Sequence, residues 1–269
     1  DNCGAVITCG GIQSNHCRAT AIAAAQLGLQ CHLILRGTPT DRPAEGNLLL
    51  DQLTGTTIGF HSPKDYFDSL VDLFQEQINY YAKKGIKARA IPTGGSDGVG
   101  VWGYISCYSE LMDDINRHGI SPGFIVTATG SGGTQAGLTV GAATNNNQHE
   151  IVGINVCDDE HYFRKKIADD IAEWKALYPK AAKGDLSDYK INLIDGYVGQ
   201  GYGIASSEVL DTIKSLAKLE GIILDPVYTG KAFHGLLSEF KRDRFNRERD
   251  IIFIHTGGIF GLLPFADRI

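Results

Sequence analysis

The chain has 269 residues, of which 43% are hydrophobic and 21% are charged, so its composition is that of a globular protein able to bury a large core. Its formal net charge of −6 and its lack of any basic cluster argue against a nucleic-acid-binding surface. No apolar run approaches the roughly 18 residues that span a bilayer, and the first residues do not resemble a secretion signal. We therefore expect a cytoplasmic protein with neither a membrane nor a nucleic-acid partner.

Short apolar runs typical of β-strands alternate with helical patterns along almost the whole chain. This alternation predicts an α/β fold with parallel sheets and helices on both faces of each sheet. Strands are predicted at 5–8, 31–36, 57–60, 87–91, 124–127, 151–156 and 251–254, and helices at 17–27, 45–53, 65–83, 133–144, 161–176 and in a segment that ends near Arg117.

The cysteines and histidines do not form a recognisable metal-binding pattern. The six cysteines include no CxxC pair, and the eight histidines include no HxH or HxxxH pair. Several cysteines fall inside apolar segments, where a thiol behaves as a small hydrophobic side chain. We expect reduced thiols and no metal site.

A first glycine-rich turn, Gly10–His16, joins the first predicted strand to the Ala-rich helix. Ser14 and Asn15 stand where that helix begins, a position that these residue types favour as caps. The N-terminus of a helix presents backbone N–H groups to a carboxylate or a phosphate. The turn is either an anion-binding site or an ordinary capped connection between strand and helix.

A second glycine-rich turn, Thr129–Thr134, follows the strand predicted at 124–127 and opens the helix predicted at 133–144. Its glycines allow the backbone to approach an anion closely, and the helix N-terminus adds about half a positive charge. Ser131 and Thr134 supply hydroxyl donors. The segment is neither a P-loop nor a dinucleotide fingerprint. It predicts a phosphate site, with a turn that binds no ligand as the alternative.

Six segments in order along the chain resemble those of pyridoxal-phosphate enzymes of fold type II, in the branch that contains D-cysteine desulfhydrase and 1-aminocyclopropane-1-carboxylate deaminase. They are Gly10–His16, Ile91–Ser96, Thr129–Gly137, Gly201–Gly203, Asp225–Lys231 and His255–Gly258. The resemblance implies two open, mainly parallel-sheet α/β domains of the tryptophan-synthase-β type that hold pyridoxal 5′-phosphate between them. Residues 1–98 would form the small domain with the substrate loop and residues 99–269 the large cofactor-binding domain. It also implies a homodimer and a small amino-acid substrate.

The resemblance assigns cofactor-binding roles. Asn15 would bind the pyridoxal 3′-oxygen, and Thr256 would be a neutral partner of the pyridine nitrogen. The cofactor phosphate would be held by Ser131, Gly132, Gly133 and Thr134.

The resemblance also assigns residues to the substrate. Ser14 would bind the substrate carboxylate and act in proton transfer, with Gln13 and His16 as further substrate-binding residues. Tyr202 and Tyr228, both predicted in glycine-flanked loops, would border the substrate as acid or base. The charge of a nearby cofactor would lower the pKa of such a phenol.

Thr229 distinguishes the two enzymes named in the resemblance. The cyclopropane-opening deaminases carry glutamate after the DPVY tyrosine, where its charge keeps the pyridine nitrogen protonated. This chain has Thr229, so the expected reaction is β-elimination from D-cysteine, which yields pyruvate, sulfide and ammonia. The alternative is the cyclopropane-carboxylate deaminase.

The enzymes of this family need a lysine that forms a Schiff base with the cofactor, in an Asn-Lys segment before the first glycine-rich turn. No segment of this chain matches it, and Lys231 is interpreted as a residue at the start of a helix. We expect that the chain lacks an N-terminal part carrying this lysine and is inactive alone. The alternative is a non-catalytic homologue that binds the cofactor without it.

Overall fold

The computed structural model describes residues 2–39, 43–145, 149–245 and 249–269. These residues form two compact units. The first unit takes the residues up to Gly95 and a returning segment, Phe260–Asp267, whereas the second runs from Ser96 to Ile259 and adds the last two residues. Within the described ranges, no helix is both long enough and apolar enough to cross a membrane.

The first unit alternates strands with helices. Its elements are β1 (Ala5–Gly11), α1 (Asn15–Gln26), β2 (Gln30–Arg36), α2 (Gly46–Leu53), β3 (Thr57–His61), α3 (Pro63–Ala82) and β4 (Ala88–Ala90), followed by a 3-10 turn at Thr93–Gly95. The returning segment belongs to a 3-10 helix, Ile259–Arg268. Local sequence explains where α3 starts, because Ser62 caps it and Pro63 occupies its first turn.

The four strands of the first unit form a parallel sheet in the order β3-β2-β1-β4. Successive side chains of a strand point to opposite faces. Accordingly, Leu33 of β2 packs against Cys17 and Ala21 of α1, whereas Ile34 lies in the cluster with Tyr66 and Tyr81 of α3. Both faces are covered, which explains why the β2 sequence is apolar almost throughout.

The second unit repeats this architecture with more helices. Its elements are α4 (Val101–His118), β5 (Pro122–Thr129), α5 (Gly133–Thr144), β6 (Glu150–Asn155), α6 (Glu160–Leu177), β7 (Asn192–Ile194), α7 (Ser207–Glu220), α8 (Thr229–Lys241) and β8 (Asp250–Phe253), with a 3-10 turn at Leu186–Asp188. The strands are parallel in the order β7-β6-β5-β8. Ile125 packs toward Tyr108 and Leu138, whereas Val126 lies on the face covered by α8.

The predicted α/β fold with parallel sheets is confirmed, and each predicted strand and helix is present with its ends shifted by a few residues. The strand β7, which is only three residues long, and the helix α7 were not predicted, and of α8 only the start near Lys231 was predicted. Tyr228 lies in the turn directly before α8, which agrees with its predicted loop position, and its ring packs against the core under that helix.

Candidate functional site

In both units a glycine-rich turn lies where the strand order reverses. Strand β1 is flanked by β2 and β4, and β5 is flanked by β6 and β8, so each unit's chain winds away from these strands in two directions. Ligands of open α/β sheets bind at such switch points, outside the carboxyl ends of the strands. The first glycine-rich segment includes the last two residues of β1, Gly10 and Gly11, and continues to Ser14, whereas the turn Gly130–Gly132 follows β5.

The first turn is closed by Ser14, which was correctly predicted as a helix cap. Its Oγ accepts a hydrogen bond from the Cys17 backbone N–H at 3.1 Å, and its own N–H donates to the Gly11 carbonyl. A Cβ on Gly10 would lie 2.6 Å from Ser14 Oγ and 2.8 Å from Cys17 Sγ. Ser14 is 5% exposed, and its hydroxyl, as an acceptor in the cap, keeps its own proton for a further acceptor.

Asn47, at the start of α2, organises the two residues on either side of Ser14. Its side-chain N–H groups donate to the Gln13 carbonyl at 3.0 Å and to Asn15 Oδ1 at 2.8 Å. Its backbone N–H donates to Gln13 Oε1, and Gln13 Nε2 donates to the Glu45 carbonyl. The oxygen of Asn15 is therefore engaged, which directs its Nδ2 donor toward other acceptors. Both ends of the Gln13 amide are held by the 45–47 segment, and its contact with substrate stays a prediction.

His16 is held inside the first unit by Thr8. The Thr8 hydroxyl donates to the Ile91 carbonyl at 2.9 Å, so at 2.7 Å it accepts the proton of His16 Nε2. Burial lowers the pKa of His16 to about 4. The ring is consequently neutral near pH 7 and links the start of α1 to the segment after β4. Its predicted contact with substrate is not tested by this geometry.

The second turn depends on a residue from outside it. The cap residue of α5 is Gly132, at φ +95°, which has no side chain with which to cap the helix. Instead Ser96 Oγ accepts the Gly133 backbone N–H at 3.1 Å and donates to Ser131 Oγ at 2.7 Å. Because Ser131 accepts this bond, its own hydroxyl proton is left to donate to another group.

A cation and a buried amide lie beside the second turn. Lys166 Nζ donates to the Ser96 carbonyl at 2.9 Å and pairs with the Asp170 carboxylate at 2.5 Å. Asn155, which is in register with Thr129 at the carboxyl end of β6, is fully buried. Neither its side-chain oxygen nor its nitrogen has a partner among the described residues.

Tyr202 and Tyr228 are brought together in the second unit. Their hydroxyl oxygens are 2.7 Å apart, and their rings meet edge to face with centroids 5.9 Å apart. A Cβ on Gly130 would lie 2.7 Å from the Tyr228 ring, so this tyrosine packs directly on the start of the second turn. In the chain alone, burial raises the pKa of Tyr228, with the neighbouring Tyr202 hydroxyl as a second cause. The expected lowering would therefore have to come from the charge of a bound cofactor.

Asp225 and Thr229 form a closed hydrogen-bonded unit before α8. The Asp225 carboxylate accepts the backbone N–H groups of Val227, Tyr228 and Thr229 at 2.8–2.9 Å. The Thr229 hydroxyl donates to the same carboxylate at 2.7 Å and accepts the Asp225 N–H at 2.9 Å. Thr229 is fully buried, so its hydroxyl is engaged in shaping this turn.

Thr256 lies in the turn after β8, which neighbours β5 in the second sheet. Its side chain is exposed, unlike that of Thr229. The turn is fixed by His255, whose Nδ1 accepts the Gly257 N–H at 3.0 Å and whose Nε2 donates to the Ile223 carbonyl at 3.0 Å. The carboxyl ends of neighbouring parallel strands lie at the same edge of a sheet. Thr256 therefore offers a neutral hydroxyl at the same edge as the second turn.

Asn47, Ser96 and Asp225 are among the residues of these networks that had no role in the sequence interpretation. Ser96 and Asp225 lie inside segments that carry the family resemblance, and this was the signal available for them. Nothing in the sequence around Asn47 marks it, since its partners Gln13 and Asn15 are more than 30 residues away.

Comparison with known proteins settles the family. A family model described as "Pyridoxal-phosphate dependent enzyme" matches residues 2–257. The chain belongs to this family. A Thermotoga maritima protein named "Putative 1-aminocyclopropane-1-carboxylate deaminase" is 40% identical over 265 residues, which cover 98% of this chain and 80% of that protein.

Further relatives of the pyridoxal-phosphate family are similar over nearly the whole chain. An Arabidopsis thaliana protein named "Bifunctional D-cysteine desulfhydrase/1-aminocyclopropane-1-carboxylate deaminase, mitochondrial" is 38% identical, over 98% of this chain and 66% of its own length. A crystal structure described as that of "the ACC deaminase homologue" superposes with a TM-score of 0.87 at 35% identity, covering 99% of this chain and 77% of that one. A threonine deaminase structure, with a TM-score of 0.65 and 15% identity, shares the fold. The expected fold type II architecture is confirmed.

The second turn fits the phosphate of pyridoxal phosphate. A Cβ at Gly133 would lie 2.6 Å from Ser96 Oγ, and a Cβ at Gly130 would lie against the Tyr228 ring. The second turn therefore has room only for glycine at these two positions. The N-terminus of α5 points its N–H groups and its positive dipole end at the turn. The unpartnered buried amide of Asn155 shows that the chain alone leaves polar atoms unsatisfied at this sheet edge. The individual residue roles stay predictions.

Proposed function

We propose that this member of the pyridoxal-phosphate family is a lyase that converts D-cysteine and water into pyruvate, hydrogen sulfide and ammonia. The observation that carries the proposal is the state of Thr229, whose hydroxyl is bound at both its donor and its acceptor side to Asp225. Position 229 therefore supplies no charge for a pyridine nitrogen, and Thr256 is the neutral partner that we assign to it.

When bound, the cofactor supplies an electron sink for the electrons released at the substrate α-carbon. A pyridine nitrogen without a carboxylate partner makes this sink shallower. That environment suits a substrate with a good leaving group on its β-carbon, such as the thiol of D-cysteine, better than an unactivated cyclopropane ring.

The residues around the first turn bind the substrate and one side of the cofactor. Ser14 Oγ donates its proton to the substrate carboxylate, since its acceptor side is used by the Cys17 N–H. Asn15 donates from Nδ2 to the 3′-oxygen, because Asn47 occupies its oxygen. The phosphate is held by Ser131, Gly132, Gly133 and Thr134.

The pair Tyr202 and Tyr228 donates a proton to the leaving group. One hydroxyl donates to the other across 2.7 Å, so the acceptor keeps its proton for transfer. We assign the transfer to Tyr202 Oη, the more exposed of the two, which gives a proton to the departing sulfur, while Tyr228 orients it.

The second candidate function is 1-aminocyclopropane-1-carboxylate deamination. The names of the Thermotoga and Arabidopsis relatives favour it, and the Arabidopsis name joins both activities in one protein. The engaged Thr229 hydroxyl argues for placing it second.

Steady-state kinetics of the cofactor-bound protein, in a form that includes the Schiff-base lysine, test the proposal. We expect a higher kcat/KM for D-cysteine than for 1-aminocyclopropane-1-carboxylate, and the reverse order would refute it. Tyr202→Phe should lower kcat for D-cysteine by about a hundredfold, the usual size of a lost proton-transfer group. Tyr162→Phe, a change at an exposed tyrosine on α6, is the control and should leave kcat unchanged.

A further inference from the structure

Lys231 is a fully buried lysine in the first turn of α8. The residue is 1% exposed, which is unusual for a lysine. A cation is disfavoured at a helix N-terminus, where the backbone dipole is positive. Burial also opposes the charge and lowers the pKa of Lys231. Such an arrangement persists only when other groups compensate for it.

The compensating groups are backbone carbonyls. Lys231 Nζ donates to Val198 O at 2.7 Å, to Gly201 O at 2.8 Å and to Val156 O at 3.4 Å. An ammonium group has three donors, and these three oxygens match them. Val156 directly follows β6, whereas Val198 and Gly201 belong to the connection after β7.

The segment that these bonds hold, residues 197–203, is rich in glycine and therefore intrinsically flexible. Gly196, Gly199, Gly201 and Gly203 all have positive φ, between +68° and +140°. A chain with so many glycines loses much entropy when it is fixed in one conformation. Two of its carbonyls are bound by Lys231, and Tyr202 follows the second of them directly.

The same first turn of α8 also positions the partner of Tyr202. Tyr228 lies three residues before Lys231, and its hydroxyl is 2.7 Å from that of Tyr202. One helix start thus supplies a tyrosine and, through an ammonium group, fixes the backbone that carries the other tyrosine.

We propose that Lys231 is a positioning residue that acts as an internal cation, binding the carbonyls of Val198, Gly201 and Val156 so that Tyr202 meets Tyr228. Its consequence for turnover rests on the proposed function, whereas its effect on the 197–203 segment does not. The carbonyl triad is, by the same argument, a site that accepts a small external cation once the ammonium is removed.

Hydrogen–deuterium exchange in the purified protein without substrate tests the positioning role. Lys231→Met keeps most of the apolar stem and removes the charge. We expect amides of residues 199–203 to exchange at least about tenfold faster in this variant, because bonds to a charged donor are lost. Lys241→Met, at an exposed position on the same helix, is the control and should match the parent protein. Unchanged exchange at 199–203 in Lys231→Met would overturn the proposal.

Chemical rescue tests the cation itself. In Lys231→Ala, propylammonium replaces the deleted atoms and should restore slow exchange at 199–203, whereas tetramethylammonium, which has no N–H donor, should not. Equal effects of the two ions, or none from propylammonium, would overturn the assignment of the ammonium as the fixing group. Should neither variant fold, the parent protein decides by nitrogen-15 NMR. A slowly exchanging lysine ammonium signal supports the proposal, and its absence refutes it.

These readouts separate the two proposals. Loosening of residues 199–203 in a protein that fails to turn over D-cysteine would refute the proposed function and leave the role of Lys231 intact. D-cysteine turnover with unchanged exchange in Lys231→Met would do the opposite.

Discussion

The two glycine-rich turns follow the same plan of strand, turn and helix, yet their helices are capped in different ways. The first is capped from within, by Ser14 Oγ on the Cys17 N–H three residues later. The second has a glycine at its cap position and receives its hydroxyl from Ser96, 37 residues before Gly133. A locally capped turn can form with its helix, whereas the second needs a distant segment in place. The second turn is thereby left with bare backbone and the Ser131 hydroxyl, the groups that we propose bind the cofactor phosphate.

The largest effect on stability that would distinguish the two turns is expected from a substitution of Gly10, in the first of them. A methyl group there would meet Ser14 Oγ and Cys17 Sγ at 2.6 and 2.8 Å. Gly10→Ala should lower the free energy of unfolding by about 1–3 kcal/mol, the usual cost of overpacking. Denaturant titration measures it. Gly103→Ala, in an exposed part of α4 where a Cβ meets nothing within 4 Å, should instead stabilise the protein by about 0.5–1 kcal/mol.

The next effect is expected at Ser96, which caps the second turn from a distance. Ser96→Ala leaves the buried Gly133 N–H without its acceptor, which costs about 1–2 kcal/mol. We expect the dissociation constant of pyridoxal phosphate to rise about tenfold, measured by spectroscopic titration. Ser206→Ala removes the cap of α7 and should leave that constant unchanged. A cofactor affinity that is the same in all three proteins would contradict the assignment of the second turn.

A smaller effect on stability, but a diagnostic one, is expected at Ser14. Ser14→Ala and Ser62→Ala each remove a helix cap in the first unit and should each cost about 1 kcal/mol in unfolding free energy. Only Ser14→Ala should also raise KM for D-cysteine, because the proposed carboxylate contact is lost. The same KM for D-cysteine in both variants would show that Ser14 acts only as a helix cap.

The smallest effect concerns Asp51, a fully buried residue of α2 whose carboxylate oxygens have no partner among the described residues. Burial raises the pKa of Asp51 to about 7. The folded chain then keeps a proton that an unfolded aspartate releases near pH 4, so stability contributed by this group falls as the pH rises from about 4 to 7.

Asp51→Asn should remove that slope. Burial lowers the pKa values of His16 and His32 to about 4, which gives the opposite slope between about pH 4 and 6.5 in both proteins. The difference in stability between parent and variant therefore isolates the contribution of Asp51. The melting temperature of Asp51→Asn should exceed that of the parent by more at pH 8 than at pH 5. Asp72→Asn, on an exposed part of α3, is the matched control for removing a carboxylate.

The sequence was sufficient for most features that depend on short-range pattern, although the locally capped helix α7 was missed. The alternation of apolar runs predicted both sheets, and Ser14 was found because a cap bonds only three residues ahead. The long-range partners were out of reach. Asn47 and Ser96 act on residues more than 30 positions away, and the burial of Lys231 depends on carbonyls 30 to 75 positions away. Every residue type has a backbone carbonyl, so a site formed by carbonyls cannot be predicted from a sequence motif.

The return of Phe260–Asp267 to the first unit bears on how the protein is made. The Phe260 carbonyl and Pro264 lie against Gly46, and the Arg18 guanidinium stacks over the Phe260 ring. About 165 residues separate Gly95 from this segment. At roughly 5–20 residues per second of ribosomal synthesis, the first unit waits on the order of ten to thirty seconds for its last piece. During that interval the surface around Gly46 and Arg18 is exposed on the nascent chain, where a chaperone has time to bind it.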